Sequence, residues 1–117
     1  MQVVEPITPS ATSNTIAENE FGAYAAGTTY AVGAKVIANH RIYESLTSNN
    51  VGNAPASNPL VWLDTGPTNS WAMFDPSPST RSTATTTMSV TFTVGAMNTV
   101  VLVGLTATNV KVFLNST

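Results

Sequence analysis

The sequence predicts an all-β protein: a small aromatic-rich three-stranded module, then an antiparallel β-sheet or partial β-sandwich, with no substantial helix. Three observations carry that expectation. Between Tyr24 and Trp62 the aromatics Tyr24, Tyr30, Tyr43 and Trp62 are separated by the turn glycines Gly27, Gly33 and Gly52. Beyond Thr85, apolar and hydroxyl residues alternate with the period of two that a strand with one buried face requires. Apolar residues do not recur at helical spacing, and a single turn near Asn14–Asn19 is the most helix expected.

Met1–Glu20 reads as an extended N-terminal arm. Pro6 and Pro9 exclude a long central strand, because a prolyl nitrogen donates no ladder hydrogen bond. Val3, Val4 and Ile7 are candidate partner-contact residues, able to add a short strand to something already folded. The polar stretch Thr8–Asn19 reads either as a disordered leader or as an arm lying on a neighbouring subunit. Phe21–Thr65 is the aromatic module. Tyr30-Ala-Val-Gly33 ends one extended piece, and Lys35–Ala38 and Arg41–Ser45 are short strands joined at Asn39-His40, since asparagine and glycine tolerate the positive φ of a two-residue turn. A module this small has no room for an ordinary core, so its rings do most of the packing.

Residues 66–117 form the expected second β region. Gly66-Pro67-Thr68-Asn69 should turn, and Ser70–Phe74 should form a short strand with Trp71 and Met73 on one side. Asp75–Thr85 is too hydroxyl-rich for a helix and is held extended by two prolines. Met88, Val90, Phe92 and Val94 then alternate, and Gly95–Asn98 turns. Val100–Val103 with Leu105 is apolar on both faces, as a central, doubly covered strand would be. Thr106–Asn109 turns, and Val110, Val112 and Leu114 close with another alternating strand. Three strands bury little apolar surface alone. The sheet is therefore expected to be completed by the module with Trp71 and Phe74, by partner chains, or by residues beyond this chain.

Composition narrows the function classes. Only 9% of the 117 residues are charged and the net charge is −2, so little self-repulsion opposes association. Lys35, Arg41, Arg81 and Lys111 are scattered and cannot neutralise a run of phosphates, which argues against nucleic-acid binding. The absence of cysteine excludes disulfides and thiolate metal sites. Met1–Pro6 lacks a basic-then-apolar export signal and no apolar run approaches the roughly 20 residues of a bilayer span, so the expectation is cytoplasmic synthesis without membrane insertion.

The residue types of catalysis are sparse. His40, the single histidine, falls in the predicted hairpin turn, where a solvated polar role is expected because no sequence pattern supplies an orienting carboxylate. Asp64 and Asp75 flank the Gly66-Pro67 turn and could meet in space, but capping turns by accepting backbone N–H bonds is the simpler role. No metal-ligand spacing, phosphate loop or nucleophile elbow occurs, and neither an enzyme nor a cofactor is expected.

The order of tyrosine, glycine, short valine strand, second tyrosine and closing tryptophan over Tyr24–Trp62 resembles the type 3 chitin-binding modules appended to bacterial chitinases. The combination of His40-Arg-Ile-Tyr-Glu-Ser45, Gly66-Pro-Thr-Asn-Ser-Trp-Ala-Met-Phe-Asp75 and a following β region is similar to a group of bacteriophage tail and baseplate virion proteins, over roughly Val3–Val112. The resemblance implies a structural virion protein made in the host cytoplasm, homo-oligomeric, and in contact with other tail proteins through its arm and through Trp71 and Phe74. It also implies a candidate carbohydrate site for cell-surface glycan at Tyr24, Tyr43, Trp62, Asn49 and Asn50, where a ring lies flat on a pyranose and amides bond its hydroxyls. Tyr24 occupies the place of the module's leading tryptophan. Glu44–Asn50, where such modules expose rings, contains no aromatic here.

Overall fold

A computed structural model describes residues 10–77, 79–93, 102 and 104–113. Among these residues five strands lie in two antiparallel sheets: β1 (Ser10–Asn14) with β5 (Val90–Thr93), and β2 (Lys35–Ala38), β3 (Arg41–Ser45) and β4 (Trp62–Pro67) in the order β2-β3-β4. No α-helix occurs among the described residues. Two three-residue 3₁₀ turns, Pro55–Ser57 and Ala72–Phe74, are their only helical elements. The all-β architecture is that expected from the sequence.

The β2–β3 hairpin has the predicted ends. Lys35 pairs with Glu44 and Ala38 with Arg41, and Asn39 and His40 turn with φ of 49° and 63°. Two successive positive φ values match the right-handed twist of the strands they join, and Asn at the first position tolerates that geometry. The pairing of β3 with β4 slips between Ile42 and Tyr43, opposite Gly66, whose φ of 128° only glycine adopts readily. The other edge of β2 is covered by the chain itself: Ile37 N donates to Gly22 O and Tyr24 N to Ile37 O, each at 2.9 Å. Tyr30 and Asn50 exchange main-chain bonds of 2.9 and 3.0 Å, which close the long loop back onto the sheet.

Alternation along β3 turns Tyr43 and Ser45 inward, where they meet Val36 and Trp62 on the neighbouring strands. Val36 and Trp62, each 2% exposed, and Tyr43 form the core, with Tyr24, Tyr30, Ala38 and Val61 packed around them. The miniature core is thus aromatic, as the composition of the segment predicts.

Several expectations are corrected. β4 runs through Pro67, which pairs with Arg41, so the turn predicted at Gly66–Asn69 falls at Thr68–Trp71. The strand predicted at Ser70–Phe74 is instead that turn followed by the 3₁₀ segment. Thr68 O accepts from both Trp71 N (3.0 Å) and Ala72 N (2.9 Å), and this winds the chain before a ladder can form. The stretch Thr8–Asn19, read as a disordered leader or an arm on a neighbour, contains β1, which pairs within its own chain. Thr15 N donates to Ser89 O at 3.1 Å, and Asn14 Nδ2 ties the strand to Ser70 O (3.0 Å) and Ser70 Oγ (2.7 Å).

The alternating strand predicted from Met88 is confined to β5, with Val94 outside the described residues. Val110 and Val112 form no strand and are exposed, because no neighbouring strand meets their backbone groups among the described residues. Val3, Val4, Ile7, the turn at Gly95–Asn98, most of the predicted strand Val100–Val103 and the closing Leu114 also lie outside the described residues. Leu102 and Leu105, which were expected to be covered on both faces, are exposed.

Candidate functional site

Three of the residues that the sequence nominates for carbohydrate binding are in the core. Trp62 presents its ring edgewise to Tyr30 (5.4 Å, 68°) and Tyr24 (6.1 Å, 90°), and its Nε1–H donates to Asn53 O at 2.8 Å. Tyr43, on β3, is buried beside its partner Val36 on β2. Asn50 is 1% exposed: Nδ2 donates to Ser45 Oγ (3.1 Å) and Val61 O (3.3 Å), while Oδ1 accepts from Asn53 Nδ2 (2.8 Å). Their assignment as ligand contacts is therefore corrected, because rings and amides satisfied inside a core cannot also lie on a sugar. Asn49 is exposed in a turn with φ of 54°. Tyr24 is half-buried and stacks on Tyr30 at 5.9 Å and 26°. Its enclosed hydroxyl has no hydrogen-bond partner among the described residues.

The most elaborate side-chain cluster lies at the other end of the module, around His40. The β2–β3 turn presents the imidazole, and Thr68 N donates to His40 O at 2.9 Å, bringing the Thr68–Trp71 turn beside it. Trp71 stacks on the imidazole with centroids 4.1 Å apart and planes inclined by 24°, and Phe74 abuts Trp71 at 5.4 Å. From the linker after β1, Glu18 sets both carboxylate oxygens 2.9–3.0 Å from His40 Nδ1, and Oε1 also accepts from Thr68 Oγ1 at 2.6 Å. Thr68 is fully buried beneath this contact. Glu20 then accepts from Asn69 N.

His40 is thus not the unpartnered turn residue that the sequence suggests. Its side chain remains half exposed, but a carboxylate from 22 residues upstream orients it. No local pattern announces Glu18, since the path of its linker depends on the β1–β5 pairing. With Trp71 across its face and Glu18 on one nitrogen, the imidazole joins three segments of chain. Trp71 and Phe74, nominated as partner contacts, are half-buried and engaged in this same cluster.

Beside it, Arg41 brings Asp64 and Asp75 together. Nε donates to Asp64 Oδ2 at 2.6 Å, and Nη1 lies 3.9 Å from Asp75 Oδ1. The hydrogen bond from Asp64, helped by both carboxylates and opposed by partial burial, holds the guanidinium above its usual pKa. Asp64 Oδ1 also caps the chain by accepting from Gly66 N at 3.0 Å, the role expected for it, and Asp75 Oδ2 accepts from Thr80 Oγ1 at 2.9 Å. Burial, reinforced by Asp64 and offset by Arg41, raises the Tyr43 phenol above its ordinary value. An open groove of about 390 Å³ runs past this network, lined by residues that include Glu20, Ile42, Asn69, Thr80 and Arg81.

Among the described residues no group of three or more His, Cys, Asp or Glu is placed to hold a metal ion, and no helix is long and apolar enough to cross a membrane. Comparison with protein-family models, with curated proteins and with solved structures finds no match to this chain.

Proposed function

We propose that this chain is a non-catalytic structural component of a multi-subunit assembly. On the resemblance of its HRIYES and GPTNSWAMFD segments, that assembly is a bacteriophage tail, at the tip, baseplate or fibre-attachment region, and the chain works in the virion. One observation carries the reading: Leu102, Leu105, Val110, Val112 and Phe113 stand in water, Phe113 at 80% exposure. Burying a side chain of this kind contributes about 1.5–3 kcal/mol, so a partner that covers these residues would gain from each of them. The low charge of the chain supports the same conclusion, because charged surfaces repel their own copies and this one does so weakly.

Sedimentation of the purified chain over a wide concentration range, together with cross-linking mass spectrometry on intact particles, tests the proposal. Self-association weakened by Val112→Asp and Phe113→Asp, and cross-links to other tail proteins, are the expected results. A chain that stays monomeric at every concentration and yields no cross-link to a virion protein would sink it. The competing reading is adhesion to cell-surface glycan, for which Tyr24 and Asn49 remain near the surface. Saturable glycan binding abolished by Tyr24→Ala and retained by Phe113→Asp would put that reading in its place.

A further inference from the structure

We infer that the open groove lined by Glu20, Asn69 and Arg81 is a site for an acidic sugar, a ring carrying a carboxylate beside its hydroxyls. The inference is independent of the assembly reading, and it gives glycan binding a different place from Tyr24 and Asn49. At about 390 Å³ the groove lies within the range of small-molecule sites, about 300–1,000 Å³. β4 contributes Thr65–Pro67 to its lining, and the loop after Asp75 contributes Ser79–Arg81.

Arg81 carries the charge that such a ligand needs. Lys35 and Arg41 are ion-paired to Glu44 and Asp64, whereas Arg81 has no ion pair or hydrogen bond among the described residues. Its side chain is free, but the chain on both sides of it is pinned. Thr80 Oγ1 donates to Asp75 Oδ2 and Met73 N to Ser82 Oγ, each at 2.9 Å. Asn69 exchanges two bonds of 2.8 Å with the backbone of Thr83. A guanidinium on a fixed stretch of chain loses little freedom on taking up a carboxylate bidentately. Glu20 lines the same groove without an ion pair to Arg81. One of its oxygens accepts from Asn69 N, and the other is left to accept hydroxyls.

Other anionic ligands fit this lining less well. A nucleic acid brings a run of phosphates, and here a carboxylate shares the groove with the one cation among its lining residues. An acidic peptide seated as a strand needs free main-chain donors on β4. Gly66 N is already bonded to Asp64 Oδ1 at 3.0 Å, and Pro67 has no N–H. An acidic sugar needs neither: its carboxylate meets Arg81, its hydroxyls meet Glu20 and Ser79, and its C–H face meets Ile42 and Pro67.

Nuclear magnetic resonance titration of the isotope-labelled full chain with a trimer of galacturonic acid tests the site. The methyl ester of the same trimer, a trimer of glutamate and inorganic phosphate are run in parallel. Saturable amide shifts at Thr65–Asn69 and Ser79–Thr83 are expected, with the uncharged ester at least about tenfold weaker. Arg81→Gln should weaken the acid by a similar factor, and the fold is kept because that side chain bonds to nothing else in the described chain. Glu20→Gln should weaken it several-fold; tighter binding would mean that Glu20 only repels the anion, and would refute hydroxyl recognition. No saturable shift, equal binding of the ester, or equal binding of glutamate trimer or phosphate each overturns the assignment, as do shifts that gather at Tyr24 and Asn49 instead. None of these results bears on self-association, so the assembly reading stands or falls by sedimentation and cross-linking alone.

Discussion

Trp62 offers the most direct test of the aromatic core. Replacement by Phe keeps a ring against Tyr24 and Tyr30 but deletes the Nε1–H that meets Asn53 O at 2.8 Å. Leaving that carbonyl without its donor costs about 1–3 kcal/mol. The smaller ring also leaves a cavity of a few tens of Å³, which at about 24 cal/mol per Å³ adds roughly 1 kcal/mol. Trp62→Phe should therefore lose about 2–4 kcal/mol, and Trp62→Ala about 3–5 kcal/mol or more, a large share of the ~5 kcal/mol at the lower end of domain stabilities. Trp71→Phe provides the contrast. Trp71 is only half-buried and makes ring contacts that phenylalanine can keep, so it should cost under about 1 kcal/mol. Urea unfolding followed by circular dichroism measures all three, with an unchanged slope showing that the unfolded state is the same. If Trp62→Phe unfolds within about 0.5 kcal/mol of the parent, the claim that this indole organises the core is wrong.

Tyr24→Phe removes an enclosed hydroxyl that has no partner among the described residues, and should raise the urea midpoint by about 1 kcal/mol equivalent; a loss of stability would mean that the hydroxyl is satisfied in solution. A Glu18→Gln/His40→Ala double-mutant cycle should give a coupling of about 0.5 kcal/mol, kept small by the half-exposed imidazole and reduced by salt. Faster amide exchange at Thr68–Trp71 in Glu18→Gln would accompany it, and strict additivity would show that the contact does not hold the linker. Because the folded Tyr43 phenol sits above its ordinary value of about 10, its contribution is fully present below that pH and is lost as pH rises through the higher folded value. Stability measured between pH 9 and 12 should thus decline less steeply in Tyr43→Phe than in the parent, and parallel curves would refute the assignment.

Local chemistry is what the amino-acid order makes legible. Asn39-His40 announces its hairpin because a two-residue turn needs positive φ, and the strands either side of it end where that turn begins. The aromatics of Tyr24–Trp62 are legible as a miniature core, since their rings are the bulkiest side chains in the segment. At Ser70–Phe74 the sequence predicts a strand where the chain forms a 3₁₀ turn, because an apolar run of four or five residues fits both equally well. The choice fell to Thr68 O, which accepts two N–H groups and so winds the segment.

Strand-forming composition, the tight hairpin and the low charge are properties of neighbouring residues or of the chain as a sum, and so are legible in the amino-acid order alone. Long-range folding set which rings leave the surface, joined Asp64 to Asp75 through Arg41, and brought Glu18 to His40. The Glu18 and Arg41 contacts each close a loop of more than 20 residues, and their geometry depends on the β1–β5 and β3–β4 pairings. Local spacing carries no trace of a contact whose two halves are brought together by strands elsewhere in the chain.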